Sequence, residues 1–256
     1  MLEEFNIILV NIFSSVKYSV VIYLFFMSIL SFFLYFVLKN KINKINPRGF
    51  DKIDIRREVF LSTIAIFFIG VLNFLFAYFA ENIGIDVFFE KESSPMLVFY
   101  IPVFYVLHDT LFYWTHRFLH LSFFFNLTHK YHHLSKSPSL WAAFSFGMFE
   151  TFCQWLISLL AVLVLPFTIL ESQVLLFSVI VINAIGHSGI EFLPKWWIRG
   201  KLKFIITVTH HDLHHSKGGG NYAVYFTWWD KLMGTEIKGY EKEFLRNTLK
   251  KKRIKS

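Results

Sequence analysis

What most constrains this chain is a series of long apolar runs. A helix needs about 20 mostly apolar residues to cross a bilayer. Ser19 to Leu38 meets that length with no charge between Lys17 and Lys39. Val59 to Ala80 and Met96 to about Thr115 follow, then Ala142 to Leu165, which holds Glu150 and is closed by Pro166, and finally Ser172 to Gly189. The opening stretch, Phe5 to Val16, is apolar but short, and reads as an interfacial segment. Glu3 and Glu4 stand where a signal peptide would be basic, so it does not read as a cleaved leader. Composition agrees: 55% of residues are hydrophobic, against about 45–50% in a soluble domain. The expected fold class is all-α, a polytopic membrane helical bundle of about four or five spans.

Charge sets the orientation. The net charge is +8, with seven Lys/Arg in 39–58 and eight in 238–256. Both clusters flank apolar spans, which favours cytoplasmic loops facing anionic lipid over nucleic acid binding. The loop 81–94 carries four acids and one lysine, so it falls outside and 39–58 inside. Alternation then puts 116–140 and everything after His187 on the cytoplasmic side. The single cysteine, Cys153, lies in an apolar run and reads as a small core residue. It leaves the redox compartment open.

The eleven histidines begin only at His108 and gather in the segments that charge alone places inside. HRFLH supplies His116 and His120, HKYHH supplies His129, His132 and His133, and HHDLHH supplies His210, His211, His214 and His215. His187 stands apart in NAIGHSGIEF. Residues at i, i+3 and i+4 share a helix face, so each cluster can aim two or three imidazoles at one point. Neutral imidazole is the commonest metal ligand. Eight clustered histidines plus His187 exceed one ion's coordination number and suit two ions. His108 reads as a core histidine, and His210 as a residue behind the ligand face. Asp109 and Asp212 are candidates to orient a ligand histidine, or to cap or face solvent. Asn221, Tyr222, Trp229 and Asp230 read as a structural clasp over the site.

HDTLFYWTHRFLH, HKYHHLSKSP, NAIGHSGIEFLP, THHDLHH and GGNYAVYFTWWDKLMGTE, in that order, resemble the fatty acid hydroxylase / sterol desaturase superfamily of membrane di-iron oxygenases. The closing pairs look most like its sterol C4-methyl oxidase and bacterial sterol desaturase branch. The resemblance implies a membrane core with a cytoplasmic helical cap carrying the dimetal site. It implies two Fe ions (zinc being possible as an occupying metal) and O2 as co-substrate. By position, His116, His120, His129, His132, His133, His187, His211, His214 and His215 would be ligands. Glu150 falls where the family has an acid, near the metals or one layer behind their ligands, and is the candidate catalytic residue. The chain departs from the family at Gly147 and Met148, where His-Pro often precedes that acid. The implied division is 1–94, N-terminal spans and basic loop; 95–236, catalytic domain; and 237–256, basic tail.

The expected function is O2-dependent hydroxylation or desaturation of an unactivated C–H bond in a lipid such as a sterol or fatty acyl chain. No GxGxxG or P-loop is present, so electrons are expected from a separate donor of cytochrome b5, ferredoxin or reductase type. Alternative readings are a zinc-dependent membrane hydrolase, a metal transporter and a haem protein. The Phe/Ile/Lys/Asn-rich composition favours a bacterial inner membrane, with the endoplasmic reticulum as the alternative.

Overall fold

The computed structural model describes residues 2–37, 43–45, 51–83 and 94–249. Parts of the basic loop 39–58, the acidic loop 81–94 and the basic tail lie outside them. Inside a bilayer no water can satisfy backbone N–H and C=O groups, so an apolar run closes them within a helix. Helix α1 (Leu2–Ser31) runs on into a π-helical segment (Phe32–Val37). Helix α2 (Lys52–Asn82) starts at Asp51, whose side chain accepts from Ile53 N. Helix α3 is Leu97–Leu119, with a short α4 (Ser122–Phe124), a π-helical turn (Phe125–His129) and α5 (Lys130–His133) after it. A 3-10 segment (Leu140–Phe144) leads to α6 (Met148–Leu163), α7 (Ile169–Gly186) and the cap helices α8 (Val208–Lys217), α9 (Trp228–Leu232) and α10 (Tyr240–Leu249). Strands β1 (Asn43–Lys44) and β2 (Ile190–Glu191) form one small antiparallel pair.

Among the described residues, four helices are long and apolar enough to cross a membrane: Ile8–Val37, Lys52–Asn82, Leu97–Leu119 and Ile169–Gly186. The expected interfacial segment Phe5–Val16 is instead part of the first of these continuous helices, because the exposed Lys17 does not interrupt its backbone bonds. The expected fourth span shrinks to 16 residues, about 24 Å at the α-helical rise. Its start is set back to Gly147, which packs against Thr128. The fifth begins at Ile169 rather than Ser172, at a capping box between Thr168 and Glu171. The third runs on to Leu119 and so carries His116 within the helix.

The helices gather one set of ends around the histidines. Near the C-terminal end of α1, the Tyr35 hydroxyl donates to Ser188 O at 3.1 Å and accepts from Leu140 N at 2.9 Å. At the start of α2, Arg57 donates to Ser135 Oγ at 2.8 Å. Glu58, fully buried, accepts from the Ser139 hydroxyl. Tyr23, Met27, Leu34, Ile66, Leu140 and Phe144 form the apolar core beneath this junction. Outward-facing side chains such as Phe13, Phe25, Phe60 and Leu170 remain largely exposed, as a lipid-facing surface requires.

Helices α1 and α2 meet at Gly70. Ser15 Oγ donates to Gly70 O at 3.1 Å, and a Cβ at Gly70 would stand 2.9 Å from Val16 Cα. Gly70→Val is expected to destabilise the bundle by about 1–3 kcal/mol through overpacking. Thermal unfolding in detergent reads this as a lowered midpoint; an unchanged midpoint would contradict the close contact.

Candidate metal centre

Nine histidines divide into two groups, each with its ligand atoms within 4.8 Å of one another. The first holds His116, His120, His129, His133 and His214; the second holds His132, His187, His211 and His215. All are buried except His120, which is half-buried. The sequence expectation that each HxxHH trio aims at one point is refined here. The i, i+4 pairs 129/133 and 211/215 each stay within one group, while the i+3 members, His132 and His214, go to the other. Helix geometry explains it: at about 100° per residue, i+4 lies about 40° to one side of i and i+3 about 60° to the other. Helices α5 and α8 therefore each serve both groups. Helix α3 and its C-cap add His116 and His120 to the first, and the C-cap of α7 adds His187 to the second.

Proton accounting shows what these rings can hold. A carbonyl cannot donate, so an imidazole nitrogen bonded to one must carry the proton. His116 Nδ1 donates to Tyr222 O at 2.7 Å and His214 Nδ1 to Gly220 O at 2.6 Å. His187 Nδ1 donates to Asn183 O at 2.8 Å and His215 Nδ1 to Ser135 O at 3.0 Å. His129 Nδ1 lies 2.7 Å from Glu150 Oε1, and donates to it when the acid is ionised. In each neutral ring Nε2 is then a bare lone pair. Yet His129 Nε2 lies 3.2 Å from His116 Nε2, 3.0 Å from His120 Nε2 and 3.1 Å from His133 Nε2. With Glu150 ionised, the bare His129 and His116 nitrogens cannot bond each other. In the second group, His187 Nε2 lies 3.3 Å from His132 Nε2 and 2.8 Å from His211 Nε2, and His215 Nε2 is buried with no partner. Nitrogens about 2.0–2.1 Å from a shared ion would stand about 2.9–3.4 Å apart. The spacing fits one metal ion per group. Burial keeps the rings neutral: it pushes His129, His132, His211, His214 and His215 well below the usual histidine range, with neighbouring imidazoles adding to the effect.

Glu150 stands one layer behind. It is fully buried in the first turn of α6, bonded to His129, and belongs to neither group. Of the two positions the sequence left open for Glu150, near the metals or one layer behind their ligands, the geometry is that of the second. Gly147 makes this possible, because a Cβ there would collide with Thr128, whose Oγ1 accepts from Glu150 N at 3.2 Å. Asp109 orients no histidine. It accepts from Val224 N, Tyr225 N and Trp228 Nε1 at 3.1, 2.7 and 3.2 Å, tying α3 to the cap. Asp212 is half-buried on α8. His210 is fully buried but off the metal face, its ring against Tyr240. His108 lies deeper in α3, with Nε2 3.2 Å from Ser158 Oγ.

Asp230 accepts from Tyr222 N at 2.9 Å and Ala223 N at 3.0 Å, and Asn221 donates to His210 O at 2.8 Å. This clasp positions Gly220 O and Tyr222 O, the carbonyls that hold His214 and His116. Sequence reasoning missed those carbonyls, since a main-chain acceptor has no residue signature. It also missed Glu191, which accepts from Thr209 N at 2.9 Å and Thr209 Oγ1 at 2.7 Å and so pins the start of α8. The acid in NAIGHSGIEF was the available signal.

Fold and site together define a polytopic helical membrane protein with a double histidine centre at one end of its bundle. The chain belongs to the fatty acid hydroxylase family, whose model matches residues 101–235. It is 33% identical over 178 residues to the methylsterol monooxygenase erg25B of Aspergillus fumigatus, covering 63% of this chain and 56% of that one. It is 30% identical to the Delta(7)-sterol 5(6)-desaturase erg3C of the same fungus, over 84% of this chain and 71% of that one. It is 30% identical to the cholesterol 25-hydroxylase of Homo sapiens, over 57% of this chain and 54% of that one. The chain thus spans little more than half of the first and third of these relatives. No solved structure matches it.

Two predictions follow from the geometry. In Gly220→Ala the new Cβ would collide with Thr235 O and displace the carbonyl that holds His214. Metal affinity, read from loss to a chelator, is expected to fall about 10–100-fold; unchanged retention would contradict the role of that carbonyl. Acidification tests the neutral rings. Burial drives His187 down to about 4 and His210 to about 3. Both are bases held neutral in the fold, whereas the unfolded chain binds their protons below about pH 6.5. Their contribution is therefore full above about 6.5 and is lost as pH falls toward 3 to 4. The metal-stripped protein should show a falling thermal midpoint over that window; a flat midpoint from pH 7 to 4 would contradict it.

Proposed function

We propose that the chain is a membrane oxygenase that hydroxylates or desaturates an unactivated C–H bond of a lipid, using O2 and electrons from a separate donor. One observation carries the reading: two convergent sets of imidazole nitrogens lie next to a largely apolar cavity, behind the Phe112 and Phe146 rings that line it. That cavity, of about 480 Å³, is bounded on the histidine side by Phe112, Phe146 and Asn183. The Phe112 ring lies 5.2 Å from His116 and the Phe146 ring 5.1 Å from His132, so each group has an aromatic wall between it and the lipid space. The volume falls in the usual range for small-molecule sites, about 300–1,000 Å³.

Two irons, one held by His116, His120, His129, His133 and His214 and the other by His132, His187, His211 and His215, would supply the reductive activation of oxygen. The chain's own residues prepare for this. The carbonyls of Ser135, Asn183, Gly220 and Tyr222 keep protons on Nδ1 and aim Nε2 inward. Glu150 does the same for His129 and is a positioning residue. Phe112 and Phe146 close the cavity on the histidine side and help to exclude water from it. The basic loops favour a cytoplasmic side for this end of the bundle, where a separate donor would approach the half-buried His120. The bacterial inner membrane is the proposed location, on composition.

The test uses membranes containing the protein, an NAD(P)H-driven donor system and the host lipid extract under 18O2. Hydroxylation predicts one heavy oxygen in a lipid product; desaturation predicts loss of two hydrogens without label. His132→Ala and His214→Ala, one from each group, are each expected to lower turnover at least about 100-fold. Lipid conversion that persists without oxygen or reductant would instead support hydrolysis at the same histidines.

A further inference from the structure

The segment 192–204, FLPKWWIRGKLKF, follows the end of α7 and carries four cations and no acid. It presents two faces. Leu193, Trp197 and Ile198 turn inward and pack with Leu213, Tyr240 and Phe244 of the cap. Lys195, Arg199, Lys201 and Lys203 are exposed, and so are Trp196, Leu202 and Phe204 beside them. Among the described residues, none of the four cations meets a carboxylate. An outward face that joins unpaired cations to a 58% exposed tryptophan calls for a surface that is both anionic and apolar.

The neighbours of this face put it against the bilayer. Phe204 O accepts from Thr227 N at 2.7 Å, and the Phe204 ring stacks on Trp228 at 6.3 Å. The indole N–H groups of Trp228 and Trp229 donate to Asp109 and Thr110 at 3.2 and 3.1 Å. Those two residues stand about 15 Å back from the end of α3, a helix long and apolar enough to cross a membrane. Leu232, 74% exposed, lines a shallow groove there with Val106 of α3. A soluble partner would have to enter the bilayer to cover this side, whereas lipid already surrounds α3. Tryptophan and lysine side chains suit the level where acyl chains meet headgroups, and cations at that level attract anionic lipid. We propose that 192–204 and α9 form a seat for anionic phospholipid of the leaflet at the metal-centre end of the bundle. Trp196, Leu202, Phe204, Trp228 and Leu232 enter the acyl boundary, and Lys195, Arg199, Lys201 and Lys203 hold the phosphates above it.

Local fluorescence quenching in the full chain tests this. Cys153→Ser removes the single native thiol, and Leu202→Cys then takes a fluorophore within the seat. Nanodiscs of phosphatidylcholine carry a small share of either phosphatidylglycerol or phosphatidylcholine bearing a nitroxide high on the acyl chain. Both labelled lipids are expected to quench, and the phosphatidylglycerol at least about threefold more strongly, through the local cations. A fluorophore at Phe25→Cys, on the lipid-facing side of α1, should be quenched about equally by the two. Replacing Lys195, Arg199, Lys201 and Lys203 together by glutamine should bring the ratio at position 202 to about one while quenching itself remains. Replacing the three lysines by arginine should keep the preference, which separates charge from folding. Absence of quenching by either lipid overturns the seat and leaves the cations to an acidic protein partner. Equal quenching by the two lipids in the chain with its native charges, or a preference that survives the glutamine replacements, overturns the anionic seat.

Discussion

The structure depends on a set of bonds in which a histidine Nδ1–H meets an oxygen of known polarity. Four of these oxygens are main-chain carbonyls and one is the Glu150 carboxylate. Each carbonyl bond fixes a tautomer and leaves a bare Nε2 lone pair among other imidazole nitrogens in a buried space. Such an arrangement suits a cation among the nitrogens. The rest of the fold keeps those oxygens in place. Glu58 and Arg57 hold the loop that presents Ser135 O, the clasp around Asp230 and Asn221 presents Gly220 O and Tyr222 O, and α7 presents Asn183 O.

Much of this was legible from the sequence. The apolar runs gave the all-α membrane bundle, because length and hydropathy act locally. The eight clustered histidines were legible because helical spacing is local too, whereas His187 stood apart from any spaced motif. What was not legible depends on tertiary contact. Spacing within a helix separates the i+3 from the i+4 member, but which histidines of the other helix join each group depends on how α5 and α8 meet. The role of Glu150 needed Gly147 to approach Thr128, at the position where the chain departs from its family's pattern. Asp109 sits on α3 two turns from His116, yet it faces the cap backbone, a partner more than a hundred residues away. The short α6 was misjudged because its apolar run continues past the point where close packing begins the helix.

The membrane helices do more than anchor the site. The C-termini of α3 and α7 bring His116, His120 and His187 to one level, while α6 starts at that level with Glu150. The same helices that make the chain a membrane protein carry the clustered histidines at their ends and a largely apolar cavity between them.

The central claim is that the nine histidines hold two ions. Metal analysis of protein purified from iron-supplied cells, quantified against amino-acid analysis, tests it most directly. The account predicts two metal ions per chain, falling when either His132 or His214 is replaced by alanine. One ion or none per folded chain, or two ions that persist in both variants, would contradict it.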